Sequence, residues 1–202
     1  TSVSTPVVAD SSIHLIVGTA PVHTVGGKVN EPVYASNYAE AVAAMGYSDE
    51  WDKYDICEEI YSSFKLYSNG PIIMVNVLDP AKHLKGAETV EKTLAGGITE
   101  LPYEAVSDTV EVKGYDGEDS LTETYTRGED YDLFYTDGVL RLERIESGKI
   151  KADNARLNIK FNSVDPSKVT KKEIIGGYDT NTNKSSGFEL VDSVYPKYGV
   201  IP

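Results

Sequence analysis

Two short and nearly continuous apolar runs in the first part of the chain predict buried strands. The first covers 13–17 and reads IHLIV, and the second covers 72–78 and reads IIMVNVL. Runs of this length without alternation are typical of strands that are covered on both faces of a parallel sheet. Helices are predicted between the two runs, so the segment is expected to form one strand–helix–strand unit with a right-handed crossover.

The residues between the two runs carry helix signals. Asn37 is a good N-cap residue, Glu40 stands at the capping-box position, and this helix is expected to end at Gly46. A longer helix is predicted over 52–67, because apolar residues recur there at spacings of three and four. Its buried face is expected to consist of Cys57, Ile60, Tyr61, Phe64 and Tyr67.

The pattern changes after residue 80. The polar and glycine-containing stretch 82–97 is expected to be a linker. From 104 to 164 the sequence predicts five or six antiparallel strands without a helix, and therefore a small β-sandwich or open barrel. The strand segments are 109–113, 121–126, 131–135, 139–145 and 155–161, with hairpin-type turns at Asp116-Gly117, Asp137-Gly138 and Ser147-Gly148.

Helical patterning returns after Asp165-Pro166. A short helix over 171–175 is predicted to be followed by a polar loop over 179–186 and a second helical stretch over 188–198. An α/β unit would place its next strand after this stretch, so we expect the chain to be the front part of a longer polypeptide.

The predicted fold class is therefore α+β, with an antiparallel β-sandwich or barrel inserted in a partial α/β domain. The expected organisation has an N-terminal arm over 1–12 and an inserted β domain over 85–164. The discontinuous α/β core would cover 13–84 and 165–202 and be truncated at its C-terminus.

Composition excludes several classes of function. The 202 residues include 32 acidic against 19 basic side chains, a net charge of −13. This balance argues against a nucleic-acid partner, because phosphate binding requires clustered Lys and Arg. No apolar run approaches the ~20 residues of a membrane span, and no signal peptide is recognised, so we expect no membrane partner. The single cysteine, Cys57, allows no internal disulfide and is expected to be a buried apolar residue in a reducing cytoplasm.

Candidate catalytic chemistry is sparse. A serine protease requires a nucleophile, a base and a carboxylate that meet in space, and His14, His23 and His83 come without a G-x-S-x-G motif. We assign no catalytic residues, no cofactor-binding residues and no metal ligands, and we expect neither a cofactor nor an enzymatic activity. Carboxylates of the β region that are expected to be solvated are Glu118, Asp119, Glu123, Glu129, Asp130, Asp132 and Asp137.

The loop after 178 resembles the first half of a calcium-binding loop at Asp179, Asn181 and Asn183. Lys184 stands where that loop has its glycine, and Glu189 falls one position short of the bidentate ligand. We therefore expect a turn rather than a metal site.

Several motifs together resemble contractile phage tail sheath proteins. Residues 169–202 match the pattern I-I-G-G-x-D, a Thr/Asn-rich loop, G-[FL]-E-L-[VL]-D and V-[FY]-P-[KR]-[FY]-G-[VL]-[IV]-P. Residues 13–21 (IHLIVGTAP) resemble the first core strand of the family and its G-x-A-P exit, and 30–33 with the helix near Asn37 resemble the next family segment. Residues 61–77 resemble a helix, an N-G turn and a second strand. The resemblance covers about 13–80 and 164–202, whereas 85–163 matches only in position and β-rich character.

The resemblance implies a fold and a function. The C-terminal motifs would mark the entry to the subtilisin-like domain of the family, a likeness of fold that does not imply protease activity. The chain would be the N-terminal portion of a structural subunit of a sheath. That sheath would polymerise around a tail tube and contract to drive the tube through the target cell envelope.

The implied partners are other sheath subunits, the tail tube protein and the baseplate. The implied location is the virion tail sheath, assembled in the host bacterial cytoplasm, of a complete phage or a headless tailocin. The α/β core would lie toward the tube, the β domain would face outward, and terminal arms such as 1–10 would link neighbours by strand addition. We expect the isolated 202-residue chain to be a monomer.

Two alternatives stay open. A β module that binds a cell-surface glycan or protein is motivated by the tyrosine-rich strands around Tyr125, Tyr131 and Tyr135. The other alternative is a hydrolase.

Overall fold

The computed structural model describes residues 13–115 and 120–198. The expectations for the arm over 1–12, for the Asp116-Gly117 turn, for Glu118 and Asp119 and for 199–202 lie outside the described residues. The chain divides into a first unit, Thr1–Leu78 with Val169–Pro202, and a second unit, Asp79–Lys168. Helices and strands are mixed along the chain, so the fold is α+β.

The first unit is built on a three-stranded sheet. Its strands are β1 (His14–Gly18), β2 (Val33–Ala35) and β3 (Ile72–Asn76), in the order β1-β3-β2. β1 runs parallel to β3, with His14 opposite Ile72, whereas β2 is antiparallel to β3. Every residue of β3 is buried, which confirms the central strand predicted from its apolar run.

Two helices cover one face of this sheet. They are α1 (Tyr38–Met45) and α2 (Asp55–Tyr61), and Met45 and Ile60 pack with Ile72 and Met74 of the central strand. The predicted N-cap is confirmed, since Oδ1 of Asn37 accepts the backbone N–H of Glu40 at 3.0 Å. The Glu40 carboxylate accepts the N–H of Ser36 at 2.8 Å, one residue before the N-cap.

The second helix differs from the prediction over 52–67. It is α-helical only from Asp55 to Tyr61 and continues as a π-helical turn over Ser62–Leu66. A π turn inserts an extra residue, so the side chains after it are rotated away from the apolar face that precedes it. Phe64 remains half-buried, whereas Tyr67 is 75% exposed. The prediction that Tyr67 belongs to the buried face is therefore wrong.

The described part of the second unit has seven strands in two antiparallel sheets. The first sheet has the order β4-β10-β6-β7 and the second has the order β5-β9-β8. The strands are β4 (Leu84–Thr93), β5 (Ile98–Pro102), β6 (Glu111–Tyr115), β7 (Leu121–Tyr125), β8 (Tyr131–Thr136), β9 (Val139–Arg144) and β10 (Arg156–Val164). One buried cluster draws on both sheets, including Val112 and Phe161 from the first and Leu133 and Leu142 from the second. The unit is therefore a β-sandwich.

The predicted linker over 82–97 is wrong. β4 occupies ten of these residues and pairs with β10 from Leu84 opposite Val164 to Thr93 opposite Arg156. It is the outer strand of its sheet and most of its side chains are exposed, so the apolar alternation that marks a strand is weak. The expected domain boundary between 84 and 85 falls inside this strand.

The five predicted strand segments of the β region are confirmed, with ends shifted by up to three residues. The Asp137-Gly138 turn joins β8 to β9, and both residues have positive φ (48° and 76°), as a tight hairpin turn requires. Ser147-Gly148 lies between β9, which ends at Arg144, and β10, which begins at Arg156. These two strands belong to different sheets, so Ser147-Gly148 is not a hairpin turn.

The C-terminal segment returns to the first unit. It contains α3 (Lys171–Ile175), a hairpin of β11 (Gly177–Asp179) and β12 (Lys184–Ser186), a 3-10 turn (Gly187–Leu190) and α4 (Val191–Tyr198). The predicted helices over 171–175 and 188–198 are confirmed, whereas the predicted loop over 179–186 is in part a strand pair.

This segment covers the second face of the three-stranded sheet. Leu190 and Ile174 pack with Val17, Val75 and Val77. Val75 and Val77 alternate along the chain with Met74 and Asn76, so they face away from α1 and α2. The sheet is thus enclosed on both faces, as its apolar runs predict.

Candidate functional site

The carboxyl ends of β1 and β3 are the place where a parallel α/β sheet holds its ligands. Asp55, the first residue of α2, lies directly against the end of β1. One oxygen of its carboxylate accepts the backbone N–H of Thr19 at 2.5 Å and the Thr19 hydroxyl at 3.0 Å. A Cβ atom at Gly18 would lie 2.3 Å from the same oxygen, so a larger residue there would displace the Asp55 carboxylate. The Asp55 carboxylate therefore fixes the exit of β1.

Asn76 performs the same task at the end of β3. Its side chain is fully buried, and Oδ1 accepts the backbone N–H groups of Ala20 at 3.0 Å and Leu78 at 3.1 Å. Its Nδ2 donates to the carbonyl of Leu78 at 2.8 Å and to that of Lys28 at 3.4 Å. The Asn76 amide thus forms all of these hydrogen bonds with backbone groups of the neighbouring loops.

The two histidines of the first unit lie at the start of β1 and beyond its other end, and the third lies in the second unit. His14 begins β1, where its Nδ1 lies 3.7 Å from the Glu59 carboxylate. His23 lies in a 3-10 turn beyond the other end of the same strand. In the second unit, Nδ1 of buried His83 accepts the backbone N–H of Asp79 at 2.9 Å. Among residues 13–115 and 120–198, no cluster of three or more His, Cys, Asp or Glu side chains could hold a metal ion.

The carboxylates of the β region lie in turns or near basic side chains at the surface. Asp130 is buried and accepts the backbone N–H groups of Thr126 and Lys149, each at 2.8 Å. Burial opposes its ionisation, but these hydrogen bonds and the nearby positive charges of Lys149 and Lys151 together lower the Asp130 pKa. Four further carboxylates of the β region lie within the described residues and are exposed: Glu123 lies 3.8 Å from Lys149, Asp132 lies 3.9 Å from Arg127, Asp137 occupies the β8–β9 turn, and Glu129 lies before Asp130.

The loop after 178 is a turn, as predicted. The Asp179 carboxylate accepts the backbone N–H of Asn181 and the hydroxyl of Thr182, both at 2.9 Å. These hydrogen bonds, the first above all, lower the Asp179 pKa. Asn183 adopts a positive φ of 53° and closes the hairpin onto β12.

The tyrosines that motivated a binding module belong to the sandwich core. Tyr131 is 2% exposed, and Tyr125 and Tyr135 pack against the same buried cluster. The Tyr135 hydroxyl donates to the carbonyl of Ala105 at 2.6 Å and accepts the N–H of Ser107 at 3.1 Å. These three rings do not form an exposed platform for a ligand.

The feature that the sequence patterns did not predict is the exposure of four large side chains on the C-terminal segment. The sequence predicts a short helix over 171–175 and a helical stretch over 188–198, and it does not show which of their side chains are covered. The adjacent isoleucines Ile174 and Ile175 were the available signal, since a helix of five residues can turn only one of them toward the sheet. The large side chains that remain exposed are Ile175 (66%), Tyr178 (57%), Phe188 (47%) and Tyr195 (57%).

None of the helices in the described ranges is long and apolar enough to span a membrane.

Comparison with known proteins identifies a relative among phage tail proteins. The chain is 30% identical over 194 residues to the tail sheath protein of Burkholderia phage BcepMu. The match covers 95% of this chain and 37% of that protein, so the chain spans little more than a third of the relative's length. No protein-family model matches the chain, and no solved structure matches it. The similarity confirms the resemblance to phage tail sheath proteins that the sequence motifs indicate.

Proposed function

We propose that this chain, a relative of phage tail sheath proteins, is part of a structural subunit of a contractile tail sheath. The sheath would polymerise around a tail tube, attach to a baseplate and contract to drive the tube through the target cell envelope. It would be assembled in the host bacterial cytoplasm and act in the virion tail. The observation that carries the proposal is the similarity to a tail sheath protein over 95% of the chain.

The use of polar groups at the carboxyl edge of the sheet supports a mechanical role. Asp55 and Asn76 hold the loops that leave the strands, and both do so through hydrogen bonds to the chain itself. Contraction then requires no covalent chemistry by these groups. The free energy that drives contraction would be stored at assembly, as a difference in free energy between two packings of the subunits. Because the sheath has many identical subunits, a modest difference for each subunit would suffice to drive contraction.

The division into two units suggests how the chain is used. We take the first unit to be the start of the subtilisin-like core of the subunit and the second unit to be an inserted β domain. Within the described residues, β1 and β2 are the outer strands of their sheet and each pairs on one side only. An extended arm from a neighbouring subunit could add to such an edge through main-chain hydrogen bonds.

The test is the position of the protein on assembled particles. Antibodies raised against the 202-residue chain are applied to contractile tails from cells that carry the gene, and gold-labelled second antibodies are located by electron microscopy. We expect label along the whole tail, in the extended and the contracted state. Antibody first absorbed with the purified chain is the control, and label confined to the tail tip or to fibres would overturn the proposal.

Two assays of the purified chain separate the alternatives. A reproducible hit on a glycan array would favour the binding module, and cleavage of peptide or glycoside substrates would favour a hydrolase. We expect neither result.

A further inference from the structure

Asn69 is the one asparagine of the sequence that precedes a glycine, Gly70. The backbone nitrogen of the residue after an asparagine can attack the asparagine side chain, and the cyclic imide that forms then opens with water. Glycine at the second position favours this attack, because it has no Cβ atom and adopts backbone conformations that other residues avoid. Asn69-Gly70 is therefore a candidate site for spontaneous deamidation.

The dipeptide lies in an irregular segment that is open to solvent. It falls between the π-helical turn over Ser62–Leu66 and β3, which begins at Ile72. Residues 65–68 are exposed and Asn69 is half-buried, so water, which the reaction consumes, has access to the segment. Segments of this kind change conformation more readily than helices and strands, and the attack on the side chain requires such a change.

The groups that would react are not held by hydrogen bonds. In the described part of the chain, the side-chain amide of Asn69 has no hydrogen-bond partner, and the N–H of Gly70 donates to no acceptor. The N–H of Asn69 donates to the carbonyl of Ser63 at 2.7 Å, so the backbone is anchored just before the reacting groups. The buried amide of Asn76, by contrast, forms four hydrogen bonds with backbone groups and is held in place.

We propose that Asn69 is a site of deamidation in the folded protein. The nitrogen of Gly70 forms a bond to Cγ of Asn69, the bond from Cγ to Nδ2 breaks, and Nδ2 leaves as ammonia with the proton of the Gly70 amide. Water then opens the imide at one of its two carbonyl carbons. Opening at Cγ gives aspartate, and opening at the main-chain carbonyl carbon gives isoaspartate. Water is the only co-reactant, and no oxidant or reductant takes part.

The isoaspartyl product changes the backbone just before the central strand of the first unit. It routes the main chain through the side chain of residue 69, which inserts one additional carbon atom before Gly70. Gly70 lies close to Phe64, since a Cβ atom at Gly70 would lie 2.6 Å from a ring carbon of Phe64. Every residue of β3, which begins two positions later, is buried. A longer backbone at this point therefore disturbs the packing of Phe64 and the start of β3.

The test is to age the folded chain at pH 8 and physiological temperature for several weeks and to map its peptides by mass spectrometry. We expect the replacement of an amide NH₂ by OH in the peptide that contains Asn69, with isoaspartate as the larger product. The peptide that contains Asn154 is the internal control, because Asn154 is exposed but precedes Ala155. The reaction is expected to be slower at pH 6, because base removes the proton of the attacking Gly70 nitrogen.

Two variants separate the modification from its effect on stability. Asn69→Gln has a longer side chain that would have to close a six-membered ring, so we expect the modification to be lost. Asn69→Asp carries the charge of the aspartyl product without the longer backbone. Followed by Trp51 fluorescence, the isoaspartyl form is expected to melt about 2–4 °C below fresh chain, and fresh Asn69→Asp to melt close to it. Equal melting of the isoaspartyl form and fresh chain would contradict the disturbance at Phe64.

Two results would overturn the proposal. One is a folded chain that stays unmodified at Asn69 while chain unfolded in guanidinium chloride is modified there, because the fold would then protect the site. The other is modification spread equally over Asn69 and Asn154. Circular dichroism of the fresh variants checks that each is folded. The inference does not depend on the proposed sheath function, and the electron-microscopy result leaves it unchanged.

Discussion

The backbone N–H of Gly187 donates to Oδ1 of Asn30 at 3.1 Å, although the two residues lie 157 positions apart in the sequence. Asn30 adopts a positive φ of 51° and donates its own N–H to the carbonyl of Asn76 at 2.8 Å. One turn residue thus ties the C-terminal segment to the end of the central strand. Because a buried N–H without a partner is costly, this bond fixes where the 3-10 turn after β12 begins.

Gly187→Ala is expected to destabilise the first unit strongly. Gly187 has φ +57°, and an added Cβ would lie 2.4 Å from the carbonyl oxygen of Ile174. The matched control is Gly26→Ala in the same unit, where φ is +64° and nothing lies within 4 Å of the added atom. We expect about 1 kcal/mol of lost stability for Gly26→Ala from backbone strain alone and about 3 kcal/mol for Gly187→Ala. Urea unfolding followed by Trp51 fluorescence measures both, and equal losses would contradict the steric argument.

Asn76→Ala is expected to cost about 2–4 kcal/mol of unfolding free energy. The substitution leaves the N–H groups of Ala20 and Leu78 without their buried acceptor, and each such loss costs about 1–3 kcal/mol. Asn69→Ala is the control, because Asn69 is half-exposed and bonds to Ser63 through its backbone N–H. If the two variants unfold at the same urea concentration, Asn76 does not organise the carboxyl edge of the sheet.

The parts of the fold that could be predicted from the sequence are those in which local signals agree with burial. The 72–78 run predicted β3 because a central strand has no polar face. The helix predicted over 171–175 is confirmed, and the structure shows that a capping box of Thr170 and Glu173 begins it and Gly176 ends it. The turn predicted at Asp179 is confirmed too. It could be predicted because Lys184 and Glu189 depart from the calcium-loop pattern in the sequence alone.

The parts that could not be predicted depend on contacts distant in sequence. β4 is a strand because β10 supplies its hydrogen bonds 63 to 80 residues later, and its exposed side chains carry no periodic signal. The carboxyl-edge bonds of Asp55 and Asn76 join three loops, which a single sequence does not bring together. The exposure of Ile175 could not be predicted because periodicity identifies apolar side chains but not which of them are covered in the fold.

Phe64→Ala and Tyr67→Ala are expected to differ sharply, because the π turn separates two side chains that an α-helix would keep on one face. Phe64 packs against the cluster beneath α1 and α2, so its truncation costs about 2–3 kcal/mol. Tyr67 is 75% exposed, and its truncation costs less than about 0.5 kcal/mol. Urea unfolding followed by Trp51 fluorescence compares them. Similar losses for the two variants would show that the helix continues as a regular α-helix to residue 67.

Cys57 is expected to resist alkylation until the first unit opens. Its side chain is fully buried beside Tyr54 and Leu78, and burial raises its pKa to about 11. At pH 8 the native thiol is therefore both inaccessible and protonated, whereas the thiolate is the reactive form. We expect iodoacetamide modification at pH 8 to be slow in buffer and to rise with urea in parallel with loss of the Trp51 signal. Rapid modification of the folded chain would contradict the buried position.

The first unit is expected to lose stability above about pH 9. Burial raises the pKa of Cys57 from 9.0 to about 11 and that of Tyr47 from 10.0 to about 12, so the folded state retains protons that the unfolded state has released. Stability is therefore constant below the unfolded-state pKa values and falls as pH rises through pH 9–12. Urea unfolding at pH 8, 9, 10 and 11 measures the trend. Tyr47→Phe removes one of the two ionisable groups, and its unfolding free energy is expected to fall less steeply above pH 10 than that of the parent chain. Cys57→Ala is the parallel case, with a shallower fall from pH 9. Identical pH profiles for the parent chain and both variants would show that neither group is held in its neutral form by the fold.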